Sequence, residues 1–491
     1  MDLLLRILDQ PSASVLIPLA LLLIHFVSIL SAFHSLQHVR TSQAAVAWVI
    51  GLVTIPYLTL PLYWIFARHR FEGYREAIRD VGHQHEHSVT AIRRELFTRT
   101  NARSSSLVTP LEQVADVLDT PICWDNQFQL LVDGQAFMDA IVATIQSAKQ
   151  YVYAEFYIIR DDETGNRFAD ALIQRAQAGV TVRLLYDEVG CLRLSNRYLQ
   201  RLTAAGIDVH AFNTRQGWVN RFQINFRNHR KLVVVDGEQT IVGGLNIGNE
   251  YLAKTKAITS WRDTSLKVTG SAARKIQAVF AGDYFWAARS SLPEAQWNHA
   301  SHEASSPERD GSAAVCSTGP SDPKPRATMM FAAAIGAAKQ RLWISTPYLV
   351  PDEATMVALA MARTRGVDVR VLIPSVADHW GAYLAGFHYE QELRAIDVPV
   401  YRYKTGVCHQ KCVLVDDRLA MIGSTNLDNR SLYLNFELMI AAQDKDLLDK
   451  VQSMLTTDFA NAEISNHAKK PLRPLLSRAG TAVARLFSPV L

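Results

Sequence analysis

Two long uncharged runs open the chain. Residues 11–39 include LIPLALLLIHFVSIL and residues 41–67 include AWVIGLVTIPYLTLPLYWIFA, with no Asp, Glu, Lys or Arg in either. A helix needs about 20 residues to cross the hydrocarbon core, so the pattern predicts two transmembrane helices, over roughly 13–33 and 44–67, with a turn near His38 and Arg40. Trp48, Tyr57, Tyr63 and Trp64 suit interfacial anchors, and Pro18, Pro56 and Pro61 are tolerated where neighbours satisfy the backbone. A cleaved leader fits less well, because MDLLLR sets Asp2 against Arg6 and a second hydrophobic run follows at once. Arg68, Arg70, Arg75, Arg79, Arg93 and Arg94 follow the second run, against Arg40 alone in the turn. That asymmetry predicts a multi-pass membrane protein with its large remainder in the cytoplasm.

Residues 69–107 read as a polar juxtamembrane linker. His83, His85 and His87 alternate within it, but no converging ligands or second shell accompany them, so a solvated segment is expected and no metal. The globular part is expected from residue 108. There the hydrophobic pattern repeats: AKQYVYAEFYIIRDDETGNRFADALIQRAQAGVTVRLLYD (148–187) is answered by AKQRLWISTPYLVPDEATMVALAMARTRGVDVRVLIP (338–374). Each goes from a short β-rich run through acids to helical spacing, then to Gly179 or Gly366 at a helix C-cap, then to another strand. The prediction is an α/β unit written twice: one half over 108–290, a connector over 291–327 with one short strand near Ala313–Cys316, and a second half over 328–463. Residues 464–491 are basic, carry no acid and mix Leu475, Leu476, Val483, Leu486 and Phe487 with Lys469, Lys470, Arg473, Arg478 and Arg485, as an amphipathic helix on an anionic bilayer would.

Composition agrees and narrows the choice. A chain of 491 residues, 48% hydrophobic and 20% charged, exceeds one ordinary domain and is not disordered. Its five cysteines form neither a disulfide framework nor a paired zinc pattern, and Cys408 and Cys412 fall on the strand face opposite His409, as small core residues do. A net charge of +4 is too small to signal nucleic-acid binding.

Both halves contain His-x-Lys-x4-Asp-x6-Gly-[Gly/Ser]-x-Asn: HRKLVVVDGEQTIVGGLN (229–246) and HQKCVLVDDRLAMIGSTN (409–426). Two copies in register rule out accident. In a strand, His229 and Lys231 share a face, as do His409 and Lys411. An imidazole beside an ammonium suits a phosphate: one attacks phosphorus or carries its proton, the other holds an oxygen. A twofold repeat brings both pairs to one site. Asp236 and Asp416 complete the motif and the candidate catalytic set, although their parity and turn position fit pinning the hairpin or the partner half. Gly244 and Ser424 are expected to open backbone N–H groups to an anion, with Asn246 and Asn426 as further donors. Asp263 and Glu437 occupy comparable places and are candidates to orient the histidines.

These residues resemble the phospholipase D superfamily, marked by a doubled HxKxxxxD motif, and within it the bacterial cardiolipin synthases with two membrane helices. The resemblance extends to EFYIIRDDETG, STPYLVPDE, GSTNLDNRSLYLNFE and the C-terminal tail; Cys408 and Gln410 are small departures. It implies two α/β/α halves around one active site and phosphatidyl transfer between two phosphatidylglycerols. One histidine attacks, glycerol leaves, and a phosphatidyl-histidine is resolved by the second lipid to give cardiolipin. It implies a bacterial inner membrane location, no cofactor, no metal and no nucleic acid; no GxxxxGK[ST] loop is present. The doubled motif leaves open which histidine attacks, and the number of copies that assemble. A membrane-bound hydrolase that uses water as acceptor shares the motif, a nuclease fits the membrane runs poorly, and a non-catalytic lipid-binding scaffold fits the intact motifs poorly.

Overall fold

The computed structural model describes residues 13–67, 70–71, 73–74, 108–213, 225–255, 260–297, 311–465 and 474–491. The histidine run at 83–87, nearly all of the linker and its arginines, and Lys469, Lys470 and Arg473 lie outside the described residues.

The first apolar run forms one continuous helix, α1 (Ala13–His38), longer than the stretch expected and apolar enough to cross a membrane. The second differs from expectation, since it divides into α2 (Ser42–Thr54) and α3 (Pro56–Phe66). Pro56 has no N–H to donate and drives the preceding residue out of helical geometry; Ile55 sits at φ −135° and gives its N–H to the Gly51 carbonyl. Each piece is shorter than a straight crossing requires. Polar contacts join the three helices: Ser28 Oγ donates to the Leu52 carbonyl at 2.7 Å, Trp64 Nε1 to Ser31 Oγ at 3.2 Å, and His34 Nδ1 lies 2.6 Å from the Tyr63 hydroxyl.

A second body contains Tyr74–Asn213 and Arg227–Leu491. It begins with α4 (Pro110–Val117) and β1 (Ile122–Cys123), then β2 (Gln127–Val132), α5 (Asp133–Gln146), β3 (Tyr151–Phe156), α6 (Glu163–Gln177) and β4 (Thr181–Asp187). The half continues with α7 (Asn196–Ala204), β5 (Asp208–Phe212), β6 (Arg227–Asn228), β7 (Leu232–Val235), β8 (Gln239–Gly243), β9 (Trp261–Arg262), β10 (Thr264–Thr269) and α8 (Ser271–Ala288).

The second half repeats the order: β11 (Ser312–Thr318), α9 (Arg326–Ala337), β12 (Arg341–Ser345), β13 (Leu349–Val350), α10 (Glu353–Thr364), β14 (Asp368–Pro374) and α11 (Trp380–Ala395). After these come β15 (Val400–Tyr403), β16 (Val407–Cys408), β17 (Cys412–Val415), β18 (Leu419–Gly423), β19 (Leu427–Asp428), α12 (Asn429–Tyr433), β20 (Asn435–Gln443) and α13 (Lys445–Ala460). The chain ends with β21 (Ala462–Ile464) and α14 (Pro474–Leu486).

The local signals work alike in both halves. Asp162 caps α6 through the Gly165 N–H and Asp352 caps α10 through the Thr355 N–H. Gly179 at φ 87° and Gly366 at φ 84° end these helices in the left-handed region that glycine enters freely.

One sheet runs β2-β10-β8-β7-β3-β4-β5; the other runs β1-β11-β20-β18-β17-β12-β14-β15-β21, with β6 paired to β20. A shared core takes Tyr151, Leu232 and Val242 from the first sheet and Val315, Leu414 and Ile422 from the second, with α8 and α13 contributing Phe280 and Leu455. Two flanking cores fill the outer faces.

Two boundaries move. Ser312–Thr318 is no connector strand: it pairs with β20 along its whole length and opens the second half. Residues 110–123, expected in the first half, go with the second: β1 joins β11, and Leu111, Val114 and Ala115 of α4 pack into the core beside α9. Alternation along a strand marks its buried face and says nothing about which edge it joins. The tail is helical after Pro474, but it packs on α11 rather than lying apart from the fold, with Ala484 buried beside Val350 and Ala385. Val483, Leu486 and Phe487 stay exposed.

Candidate active site

Each motif histidine follows a two-residue strand that pairs in parallel with the opposite half. β6 runs beside β20, setting Asn228 against Phe436, and β16 runs beside β9, setting Cys408 against Arg262. The pairing continues into the histidines: His229 N–H donates to the Phe436 carbonyl at 2.9 Å and His409 N–H to the Arg262 carbonyl at 2.7 Å. The next residue on each partner strand is an acid. His229 Nδ1 therefore lies 2.9 Å from Glu437 Oε1, and His409 Nδ1 lies 2.7 Å from Asp263 Oδ2. Each half's imidazole is held by the other half's carboxylate.

The lysines stand beside them. Lys231 Nζ and Lys411 Nζ each donate to the carbonyl of their own motif histidine, and Lys411 Nζ lies 2.6 Å from His409 Nδ1. Rings frame the group, with Tyr157 centred 5.0 Å from His229 and Trp261 4.9 Å from His409.

Burial dominates the electrostatics. His229 is held well below its ordinary pKa by burial and then by Lys231, Lys411 and His409, so both motifs act on one imidazole. His409 is lowered by burial and Lys411 against the pull of Asp263. Burial brings Lys231 down to about 7, opposed by Glu437, and burial raises Glu437 to about 7, opposed by Lys231. Burial would raise Asp263, but Lys411 and His409 outweigh it and hold the carboxyl below its usual range. With both lysines and both carboxylates charged, the centre is neutral while the imidazoles are neutral. A phosphodiester adds one negative charge, which favours protonating one histidine and leaving the other as a free base. The centre can thus present a nucleophile and an acid to one phosphorus.

The remaining candidates stand elsewhere. Asp236 is no part of the centre: it sits at φ 52° after β7 and accepts from the backbone N–H groups of Lys149, Gln150 and Tyr151, pinning the entrance to β3. Asp416 does the same for Lys339, Gln340 and Arg341. Both pin their own half, because the hairpin turn and the start of the neighbouring strand share one end of the sheet. Gly244 and Ser424 do not open N–H groups to an anion either; those groups donate to the Thr264 and Leu438 carbonyls. A Cβ on Gly244 would meet Asp263 Oδ1 at 2.4 Å, so glycine there makes room for the carboxylate. Ser424 Oγ donates to Glu437 at 2.5 Å. Asn246 Oδ1 accepts from the Ile158 N–H at 3.1 Å, and Asn426 Nδ2 donates to Asp428 at 3.1 Å.

Sequence reasoning missed Tyr157 and Tyr348, whose rings face His229 and His409 from comparable loops. The paired strings EFYII and STPYL carried that signal. It also missed the buried ion pair of Arg230 with Asp283, a group that Tyr74 joins through a 2.7 Å hydrogen bond to Asp283.

A family model described as cardiolipin synthase, phospholipase D-like domain matches residues 141–283 and again 331–459. Cardiolipin synthase A of Pseudomonas fluorescens strain SBW25 is 42% identical over 95% of this chain and 97% of its own length. Cardiolipin synthase A of Pseudomonas aeruginosa strain LESB58 is 40% identical over 98% of each. Among solved structures, phosphatidylserine synthase of Haemophilus influenzae shares the fold at TM-score 0.62 and 17% identity, covering 78% of this chain and all of that one.

Proposed function

The chain belongs to the cardiolipin synthase family of the phospholipase D superfamily, and from that membership we propose that it transfers a phosphatidyl group from one phosphatidylglycerol to another. The products are cardiolipin and glycerol. The observation that carries this reading is the exchange of carboxylates between halves, which makes His229 and His409 members of one centre rather than of two.

One histidine attacks the phosphodiester as a free base while the other, protonated, hands its proton to the departing glycerol oxygen. The second histidine, now neutral, takes the proton of the incoming lipid hydroxyl, and that oxygen displaces the first histidine from phosphorus. Lys231 and Lys411 hold the non-bridging oxygens through both steps. Glu437 and Asp263 fix the orientation of the imidazoles, and Gly244 and Ser424 support those carboxylates. One diester replaces another, so the cycle needs no nucleotide. The apolar N-terminal helices hold the enzyme at the bilayer that contains its substrate, with the two-histidine body on the cytoplasmic side.

Incubating the purified full chain with phosphatidylglycerol alone and separating the lipids by thin-layer chromatography tests the reading. Cardiolipin and glycerol in equal amounts are expected. Phosphatidic acid as the sole lipid product, released with glycerol, would make the chain a hydrolase, and unchanged lipid would make it a scaffold.

A further inference from the structure

Each motif strand is tied to a long helix of its own half, and comparing the two ties shows a part that the repeat does not supply. Arg230 and Gln410 stand between the His and the Lys of their motifs. Arg230 Nη1 donates to Asp283 Oδ2 on α8, an oxygen that also accepts from Asn228 Nδ2 at 3.3 Å. Gln410 Nε2 donates to Asp458 Oδ2 on α13 at 3.0 Å. At the His409 crossing the helix acid is tied to the partner strand as well: Arg262 of β9 donates to Asp458 through Nε at 2.9 Å and Nη2 at 3.2 Å. Arg262 precedes Asp263, the carboxylate beside His409 Nδ1. The residue in the same place before Glu437 is Phe436, which has no side-chain donor.

Tyr74 supplies that donor at the His229 crossing. Its hydroxyl donates at 2.7 Å to Asp283 Oδ1, while Arg230 and Asn228 engage Oδ2. Its ring lies 4.9 Å from the Phe436 ring, with Phe212 and Trp286 at 6.4 and 6.1 Å. The Phe436 carbonyl accepts the His229 N–H, and Arg230 Nε donates to the Glu437 carbonyl at 3.2 Å. One side chain therefore braces both strands of the crossing, β6 through Asp283 and β20 through Phe436. The brace matters because β6 has two residues, and so short a strand forms too few ladder bonds to fix its own position. Burial and then Asp283 hold the Tyr74 hydroxyl well above its ordinary pKa, so it stays a donor. Tyr74 belongs to the second body but lies outside both repeats, in the segment that follows the apolar runs.

We propose that Tyr74 is a positioning residue of the catalytic centre, which fixes the β6–β20 crossing through Asp283 and Phe436 and so aligns His229 with Glu437; this rests on the reaction read for that centre above. Arg262 serves His409 and Asp263 in the same way from inside the repeat. Tyr74 acts through these neighbours and not on substrate. Catalytic groups need placement within about 0.5 Å, and a misplacement of about 1 Å costs on the order of 100-fold. Loosening this crossing therefore slows the chemical step in folded enzyme and leaves lipid affinity in place. The segment after the apolar runs is in this way part of the catalytic body.

Tyr74→Phe keeps the ring and removes the donor. In the full-length enzyme, assayed on phosphatidylglycerol in mixed micelles well below the unfolding midpoint, its kcat should fall about tenfold while KM stays within about twofold. Tyr74→Ala, which also takes the ring from Phe436, should fall at least as far; if that variant does not fold, Tyr74→Phe decides the matter. A Glu437→Ala background removes the carboxylate with which His229 is aligned, so there Tyr74→Phe should cost no more than about twofold. A wild-type kcat in folded Tyr74→Phe, even with a lowered midpoint, would make the tyrosine structural and overturn the proposal, as would an undiminished cost in the Glu437→Ala background. The rate counted is phosphatidylglycerol consumed, whatever the acceptor. Phosphatidic acid in place of cardiolipin from the wild-type enzyme would therefore sink the synthase reading and leave this comparison intact.

Discussion

Asp263 is fully buried, is held ionised by Lys411 and His409, and is the charge that keeps His409 from falling further below its ordinary pKa. Replacing it with Asn removes a negative charge that favours the imidazolium, so the pKa of His409 drops. The limb of the kcat/KM profile that reports the titration of His409 should move to lower pH, and a profile in which neither limb moves would exclude an orienting and charging role for Asp263. The lysines give a complementary case. Lys231 and Lys411 are buried, with pKa values depressed by burial, and Met keeps most of their length without the charge. We expect Lys231→Met and Lys411→Met each to cut turnover about 100-fold or more, the scale of losing one preorganised donor. The unfolding midpoint should stay level or rise, since a desolvated charge is removed. Near-normal turnover in both would return these lysines to a structural role.

Short polar pins decide where the elements begin. Asp236 collects three backbone N–H groups at the start of β3, and charged acceptors of this kind are worth about 1.5–3 kcal/mol per bond before neighbours relax. Asp236→Ala should cost about 3 kcal/mol in denaturant unfolding while the histidine geometry survives, so activity at low temperature should persist in proportion to folded protein. A catalytic aspartate would give the opposite result, lost turnover at unchanged stability. The C-terminal helix has two faces with different duties. Ala484 and Leu491 pack on α11 and Arg430 binds the last two carbonyls, whereas Leu486 is 79% exposed and Phe487 57%. Deleting residues 471–491 should therefore lower activity on detergent-dispersed and vesicle substrate alike. The double replacement Leu486→Ser and Phe487→Ser should lower activity on anionic vesicles only, by weakening interfacial binding. Equal losses in both assays for the serine variant would leave the exposed face without a membrane role.

The two halves share one core and exchange their histidine-orienting acids, so neither half holds a complete centre. Groups that act on one phosphorus are strongly non-additive. His229→Ala and His409→Ala should each lower cardiolipin formation by orders of magnitude, and the double variant should be little worse. Half of the wild-type rate in either single variant would mean two independent sites.

Hydrophobic patterning alone fixed the duplicated strand and helix order, the uncharged N-terminal runs and the two His–Lys pairs, because each follows from local periodicity or from repetition in register. The break at Ile55–Pro56 was written in Pro56 itself, whose missing N–H outweighed the apolar run around it. Nothing local assigns Asp263 to His409 and Glu437 to His229. That pairing depends on two short parallel strand contacts between segments far apart in the chain, Arg227–Asn228 with Asn435–Phe436 and Val407–Cys408 with Trp261–Arg262. The same holds for β1 and α4, which stand in the sequence of one half and serve the other, and for Asp236 and Asp416, whose carboxylates reach a neighbouring strand rather than the centre. Sequence sets which face of an element is buried; which element lies across from that face is decided by long-range packing, and in this protein the chemistry sits on those crossings.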